Sequence, residues 1–335
     1  MSSISNVNNT GINSIIELFE RWLKSMKCVR YEGVSGECKT VSLLRKALSG
    51  FEVVTSTDGY TASIVKGEAL KFDFSGNPNI AKFLYELRTF GLNDQKVVLC
   101  RPCDARAIVE LCKRNQLERE KLVLIGVYSP ESCKRRDYCC VRFSDFDVFL
   151  FEVEAESNGK IVLVFMKKYV CEADGKDGKM DVRKVLSRFE ELEDARVLEP
   201  EEFLKLLKSC IEELERVERL LDSYDGSNSD ENLKITSYFE RCMKCMGCVY
   251  ECPICICEDV CMVKGIGRGE VPPPPQFLIF RMLHVADSCV NCGQCDDACC
   301  ANIPISRIFQ KVQRKYWRDT GFVPGINYEL SPRMR

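Results

Sequence analysis

Apolar residues recur at helical spacing near the start of the chain, from Gly11 to Met26, and predict an amphipathic helix. Short runs rich in β-branched and aromatic residues come next. They predict strands over Phe51 to Ser56, Tyr60 to Val65 and Leu70 to Phe74. The turn Thr57-Asp58-Gly59 between the first two runs is typical of a hairpin, so a sheet is expected in this part of the chain.

The pattern then alternates between strand and helix, which is typical of a βαβ unit with a parallel pair of strands. Further along, Ser157-Asn158-Gly159 joins two alternating runs and predicts another hairpin. The elements expected in this region are a helix over Ile80 to Phe90, a strand over Val97 to Leu99, a helix over Ala105 to Arg114, and strands over Leu122 to Val127, Phe146 to Ala155 and Lys160 to Lys167.

Helices are predicted over Val182 to Leu192 and Glu201 to Leu221, and the second is charged and amphipathic. Ser223 to Asn232 is rich in Ser, Asp, Asn and Gly, a composition typical of linkers. The hydrophobic pattern therefore indicates an α/β domain, a helical strut and a linker before the remaining segment.

Composition narrows the class of protein. The 48 Lys and Arg residues nearly balance 50 Asp and Glu residues, and the net charge of −2 favours neither nucleic acid nor an anionic membrane as a partner. No apolar run approaches the ~18 residues that span a bilayer, and the opening residues lack the basic and apolar regions of a signal peptide. A cytoplasmic protein without a membrane span is expected.

The cysteines are concentrated in one segment, since 12 of the 22 fall between Cys242 and Cys300. Cytoplasmic thiols stay reduced, so metal binding is favoured over disulfides. The spacing C-x2-C-x2-C-x3-C occurs here twice, 47 residues apart, and a proline follows its first copy. The two motifs are Cys242, Cys245, Cys248 and Cys252, and Cys289, Cys292, Cys295 and Cys299.

Three thiolates from a tight loop can hold three irons of a cubane, while the fourth cysteine reaches the neighbouring cluster. The motifs are therefore expected to interlock around two [4Fe–4S] clusters. A structural zinc protein is the alternative, although such sites usually use paired C-x2-C knuckles. The predicted ligands are Cys242, Cys245, Cys248 and Cys299 for one cluster, and Cys289, Cys292, Cys295 and Cys252 for the other.

The expected fold is an α/β N-terminal domain with a small, mostly parallel sheet, followed by a helical dicluster ferredoxin-like domain. The segment between the motifs, with four prolines from Pro272 to Pro275 and a helix over Gln276 to Val285, is longer than the hairpin of a compact ferredoxin. The predicted divisions are the α/β domain over 1–178, the strut and linker over 179–230, the dicluster domain over 231–312 and a basic tail over 313–335.

More cysteines lie where open α/β sheets place ligands, at the carboxyl ends of strands. Cys100 and Cys103 end one predicted strand, and Cys133, Cys139 and Cys140 follow the next. One interpretation is a third cluster held by Cys103, Cys133, Cys139 and either Cys100 or Cys140. The other is that these are buried reduced thiols.

Several residues remain without a single assignment. Cys255, Cys257, Cys261 and Cys300 either hold another cluster or line the pockets of the first two. His284 either tunes or binds a cluster, or is an ordinary core or surface histidine. The basic tail either docks an acidic partner or is a solvated terminus, and its cations are Arg314, Lys315, Arg318, Arg333 and Arg335.

The chain resembles the coenzyme F420 hydrogenase/dehydrogenase beta-subunit family, in particular the beta subunits of archaeal formate dehydrogenases and their bacterial relatives. The likeness spans roughly residues 75 to 325. Three stretches carry it: Arg101 to Arg106 with Asn115-Gln116 and Leu122 to Gly126, then Cys242 to Cys257 with its Cys-Pro-Ile-Cys-Ile-Cys, then Leu283 to Ile305.

The resemblance implies an α/β domain with iron–sulfur clusters, in many members also FAD, which passes electrons between F420 or another carrier and a catalytic partner. The glycine-rich flavin-domain turn of the F420-oxidising members has no evident counterpart here, which counts against FAD and F420. Members with a third cluster tend to have a C-x2-C after the βαβ unit, whereas here Cys139 and Cys140 are adjacent.

Two functions are consistent with this. The first is an electron-transfer subunit of a hetero-oligomer, without a substrate of its own. It would relay electrons between a catalytic subunit of the formate dehydrogenase or hydrogenase type and a heterodisulfide-reductase-like partner or soluble carrier. The alternative is a flavin-containing oxidoreductase that acts on F420 or NAD(P)H.

Overall fold

The computed structural model of the chain describes residues 39–88, 95–127, 148–155, 159–166, 187–188, 195–198, 237–257, 261, 263, 271–325 and 331. The predicted helices over 11–26 and 201–221 and the predicted linker over 223–232 lie outside these residues, and the helix predicted over 182–192 is described only at 187–188. None of the described helices is both long and apolar enough to cross a membrane.

The described strands form one mixed sheet. It begins with the predicted hairpin and continues through the predicted βαβ unit into the second hairpin. The strands are β1 (Glu52–Ser56), β2 (Ala62–Lys66), β3 (Lys96–Cys100), β4 (Leu122–Val127), β5 (Val148–Ala155), β6 (Gly159–Met166) and β7 (Ala195–Leu198).

The order of these strands across the sheet is β2-β1-β3-β4-β5-β6-β7. The pairs β1 with β3, β3 with β4, β4 with β5 and β6 with β7 are parallel, and the two hairpins are antiparallel. The broad prediction of an α/β domain with a mostly parallel sheet is confirmed. The central strands β3 and β4 are almost entirely buried, as expected of parallel strands covered on both faces.

The described helices lie before, between and after these strands. The helix predicted over Gln276 to Val285 is confirmed at those bounds. The helices are α1 (Lys39–Leu48), α2 (Ile80–Leu87), α3 (Pro102–Lys113), α4 (Gly247–Tyr250), α5 (Gln276–Val285), α6 (Gln294–Asp297) and α7 (Ile305–Thr320).

Helix α3 begins three residues before its predicted start. Pro102 occupies the first turn, where its fixed φ suits a helix and its missing N–H costs nothing. The Asp104 carboxylate accepts a hydrogen bond from the Arg101 backbone N–H at 3.1 Å and so closes the helix end. Arg101 is therefore the single residue between the end of β3 at Cys100 and the start of α3, and Cys103 lies in the first turn of the helix.

One prediction of local structure was wrong, and one helix was not predicted. Leu70 to Phe74 is not a strand; Leu70 and Phe74 are buried in the core, but β1 is already paired on both sides by β2 and β3. The segment beginning at Ile305 was not predicted to be helical, yet α7 runs to Thr320. Its apolar positions Ile305, Ile308 and Phe309 are buried, and this spacing favours a helix.

Buried apolar side chains form two clusters. Their boundary does not coincide with the predicted boundary between the α/β domain and the dicluster domain. One is built from the sheet, α1, α2 and α3, and it also contains Val290 and Cys292 of the second cysteine motif. The other surrounds the first cysteine motif, α5 and the start of α7. The second motif thus contributes to both clusters: Val290 and Cys292 pack into the core of the α/β half, and Cys295 packs into the other cluster.

Candidate metal centre

The two cysteine motifs adopt the same local backbone. In each, the second and fourth residues after the first cysteine have positive φ: Lys244 (55°) and Met246 (65°) in the first, Asn291 (55°) and Gly293 (69°) in the second. A one-turn helix follows each loop, α4 in the first motif and α6 in the second. The sequence repeat is therefore also a structural repeat.

Cysteines of both motifs line one pocket. Cys242, Cys245 and Cys248 of the first motif are joined there by Cys299 of the second, around a space of about 300 Å³ that includes its open mouth. The side chains of Met243, Met246, Phe277, Leu278, Cys300, Ala301, Ile303 and Ile305 complete the lining.

Helices α4 and α6 pack closely, and this packing places Cys299 beside the cysteines of the first motif. A Cβ atom on Gly247 would lie 2.7 Å from the Ala298 carbonyl oxygen, which is too close for any side chain. Glycine at this position lets α4 and the end of α6 approach, and Cys299 directly follows Ala298.

The thiols of this first set differ in their surroundings. Burial raises the pKa of Cys248 to about 11 and also raises that of Cys242, and nearby thiols, including Cys299 for Cys242, add to the effect. The Gly247 backbone N–H lowers the pKa of Cys245, which is exposed. Charged thiolates at Cys242 and Cys248 would therefore depend on a bound cation.

The second set is more deeply buried. Cys292 and Cys295 are buried and Cys289 is half-buried. Burial raises the pKa of Cys295 well above its ordinary value, and Asp296, Cys289 and Cys292 add to this through their negative charges. Cys252 and Cys295 both lie near the Arg281 guanidinium.

Within the described residues, no three Cys, His, Asp or Glu side chains converge closely enough to hold a single metal ion. A cubane differs from a single ion because each of its thiolates binds a different iron. No described cysteine takes part in a disulfide.

The surplus cysteines lie beside the predicted ligands. Cys255 is hydrogen-bonded to Cys252, which lowers the pKa of Cys252 and raises that of Cys255. Cys300, in the exposed part of the first pocket, is hydrogen-bonded to Cys245 in the same way. Cys257 and Cys261 belong to the apolar cluster around the first motif, and His284 is exposed.

Arg281 is the residue of this centre that the sequence analysis missed. It is the only charged residue between Pro272 and Ala286, on an otherwise mostly apolar helix, and it is 1% exposed. A lone cation on an apolar helix between two cysteine motifs is the signal that could have identified it.

The turn at which a third cluster was predicted contacts the second motif. Arg101 forms a buried ion pair with Asp104 at 2.7 Å, and its Nη1 donates to Asn77 Oδ1 at 2.7 Å. Arg106 Nη2 donates to the Val290 carbonyl at 3.1 Å. Cys100 is fully buried and Cys103 is 7% exposed, while Cys133, Cys139 and Cys140 lie outside the described residues.

Asn77 connects this turn to the second motif. Its side-chain amide donates to Asp297 and to the Cys292 carbonyl, and its backbone carbonyl accepts from Gln294 Nε2 at 2.8 Å. It is buried and has a φ of 64°, a conformation that asparagine tolerates better than most residues.

Helix α2 holds the first motif by similar contacts. Asn79 Nδ2 donates to the Glu251 carbonyl at 2.6 Å, Lys82 donates to the Tyr250 carbonyl, and the Tyr85 hydroxyl donates to the Ile256 carbonyl at 3.5 Å. The α/β half thus fixes the backbone of both cysteine motifs.

The fold and this centre define a class: an α/β protein whose sheet domain contacts both copies of a doubled four-cysteine motif. No family model matches the chain. Individual proteins that are similar to the chain are subunits of one kind of redox enzyme.

The chain is 29% identical to the F420-dependent formate dehydrogenase subunit beta of Methanocaldococcus jannaschii, with 72% of this chain and 76% of that protein aligned. It is 26% identical to the F420-dependent formate dehydrogenase 1 subunit beta of Methanococcus maripaludis, with the same coverage. These similarities confirm the resemblance to the formate dehydrogenase beta subunits of the coenzyme F420 hydrogenase/dehydrogenase beta-subunit family.

Proposed function

We propose that this chain is an iron–sulfur electron-transfer subunit of a multi-subunit redox complex. The observation that carries the proposal is the first pocket, where Cys299 of the second motif lies with Cys242, Cys245 and Cys248 of the first. Interlocked motifs of this kind suit two [4Fe–4S] clusters placed side by side, each completed by a cysteine of the other motif.

The donor set fits clusters better than it fits a catalytic site. The thiols are held by tight loops, and the surrounding side chains are mostly apolar, which excludes water and tunes the potential of an iron–sulfur centre. When bound, the clusters would each accept and release one electron. The protein's own residues would set the potentials, the spacing and the access of a partner.

The second cluster of the proposal would be held by Cys289, Cys292, Cys295 and Cys252. Its motif is anchored to the α/β half through Asn77 and Arg106. The proposed dicluster domain extends over 231–312, after an α/β domain over 1–178 and a strut and linker over 179–230. The segment 313–335 is proposed as the basic tail.

The proposed partners are the two ends of an electron path. One is a catalytic subunit of the formate dehydrogenase or hydrogenase type, and the names of the two relatives support the former. The other is a heterodisulfide-reductase-like subunit or a soluble carrier. A beta subunit functions in a hetero-oligomer. No nucleic-acid partner is proposed.

Iron analysis of the anaerobically purified full-length chain tests the proposal. About eight irons with matching acid-labile sulfide are expected per chain, or about twelve if Cys103 closes a third cluster. A broad visible absorption that bleaches with dithionite should accompany them. A colourless protein that binds zinc, or iron without sulfide, would contradict the proposal.

A flavin-containing oxidoreductase acting on F420 or NAD(P)H is the second candidate. The two relatives are named F420-dependent, which favours it. Flavin adds resolved bands to the cluster spectrum and is released by acid. Stoichiometric flavin in the acid extract, with reduction of the protein by reduced F420, would favour this candidate over a subunit that only relays electrons.

A further inference from the structure

Arg281 is a buried cation between the two cysteine sets. It lies on α5, is 1% exposed, and is the largest fully buried side chain among the described residues. Its Nη2 donates to the Cys248 carbonyl at 2.6 Å and its Nη1 donates to Cys255 Sγ at 2.9 Å. The guanidinium also lies 5.8 Å from the centre of the Phe309 ring.

A charge buried this deeply needs compensation, because transfer from water costs several kcal/mol per ion. Arginine stays protonated in proteins, so this guanidinium is charged. Its donors reach the Cys248 carbonyl and the Cys255 sulfur, and Cys255 is in turn hydrogen-bonded to Cys252. The buried charge therefore faces the two cysteine sets.

The donors of Arg281 are only partly used. Its Nε–H is buried and has no hydrogen-bond partner among the described residues. Buried donors are rarely left unpaired, and an orphan beside a predicted cofactor site points to an acceptor that the cofactor supplies. Sulfur bound to iron is such an acceptor.

We infer that Arg281 is the shared counter-charge of the two clusters and raises the reduction potential of both. The inference rests on the proposed function. It assigns Arg281 a positioning and electrostatic role. Arg281 contacts Cys248 of one predicted ligand set and, through Cys255, lies beside Cys252 of the other, while Cys295 is buried in the same cluster of side chains as Cys248.

The charge balance gives the direction of the effect. When one electron from an external donor such as dithionite enters a cluster, the cluster and its four thiolates become more negative by one charge. A fixed cation in a water-excluded site stabilises the reduced form more than the oxidised form, so it raises the potential. Removing the cation should make reduction harder.

The test is an EPR-monitored potentiometric titration of the full-length protein with reconstituted clusters. Arg281→Gln and Arg281→Met remove the charge, whereas Arg281→Lys keeps it and loses the planar fork. In the neutral variants we expect the equilibrium constant for reduction to fall about tenfold or more, which is about 59 mV for a one-electron couple. Arg281→Lys should stay near the wild-type potential.

Arg241→Gln is the matched control. Arg241 is exposed, donates to the Asn302 carbonyl at 3.4 Å and stacks on Tyr238. Its removal also changes the charge by one unit, but water and salt screen an exposed cation, so a change of less than about threefold is expected.

The outcomes separate this inference from the proposed function. If the wild-type chain binds no clusters, the proposed function fails. If it binds them, and a neutral Arg281 variant is loaded equally with an unchanged potential, the inference alone is overturned. If neither neutral variant binds iron, loading of Arg281→Lys with a wild-type potential supports the inference, and failure of all three variants assigns Arg281 to packing and overturns it.

Discussion

Asn77 donates its side-chain amide to the carboxylate of Asp297, 220 residues further along the chain. Asn77 lies just before α2 of the α/β half, and Asp297 ends α6 in the second cysteine motif. The same asparagine accepts from the buried Arg101 and donates to the Cys292 carbonyl. One side chain therefore sets the position of the second motif against the sheet.

Replacing Asn77 with glycine should loosen this attachment. Glycine tolerates the positive φ, so the change removes the side chain without backbone strain. It leaves Arg101 and Asp297 with unsatisfied hydrogen bonds, and we expect a loss of about 1–3 kcal/mol in the free energy of unfolding. Denaturant titration measures this loss.

Asn115→Gly is the control for Asn77→Gly, because Asn115 also has a positive φ, 55°, but is exposed. It should change the free energy of unfolding by less than about 0.5 kcal/mol. Equal losses in the two variants would show that the Asn77 side chain is not an anchor.

The proposed ligand exchange between the motifs predicts crossed effects. Cys299→Ser should disturb the cluster of Cys242, Cys245 and Cys248, and Cys252→Ser should disturb the cluster of Cys289, Cys292 and Cys295. EPR spectra of the reduced variants distinguish the two clusters. Cys112→Ser, in α3, should leave both signals unchanged.

If Cys252→Ser selectively removed the cluster of its own motif, the exchange would be disproved. The first pocket already contains Cys299, so the Cys299→Ser result bears on a contact that the structure shows. The Cys252→Ser result tests the second ligand set, in which Cys252 and Cys295 both lie near Arg281.

Gly247→Ala should weaken the first cluster. The added methyl group would meet the Ala298 carbonyl oxygen at 2.7 Å and force α4 away from the residues that follow α6, which include Cys299. Overpacking of this kind costs about 1–3 kcal/mol. We expect faster iron loss to a chelator, and a slower or equal rate would argue against close packing as the source of the geometry.

Gly50→Ala is the control for Gly247→Ala. A Cβ atom on Gly50 meets nothing within 4 Å, although its φ of 83° makes alanine strained. A small loss of stability is expected, without any change in the rate of iron release.

Cys103→Ala tests the predicted third cluster. If Cys103 is a ligand, the full-length protein should lose about four irons while the dicluster domain stays loaded, and electron flow through the first domain should stop. Cys112→Ala removes another cysteine of α3 and should leave the iron content unchanged. Unchanged iron content and transfer rate in Cys103→Ala would make Cys103 a buried thiol of the α/β core.

The sequence alone determined most of the local elements and predicted the chemistry of the motifs. The hairpins, β3, α3, β4 and α5 follow from hydrophobic period and turn residues, which act over short distances along the chain. The cysteine spacing is equally local, since a tight loop must present three thiolates together. The resemblance to formate dehydrogenase beta subunits also came from residues read in order.

Only the tertiary structure decided which distant residues meet. The order of strands across the sheet, the failure of Leu70 to Phe74 to form a strand, and the contact of Asn77 with Asp297 all depend on competition between partners far apart in sequence. Arg281 shows the same limit. Sequence shows a cation on an apolar helix, but its burial between two sets of thiols exists only after both motifs have packed against α5.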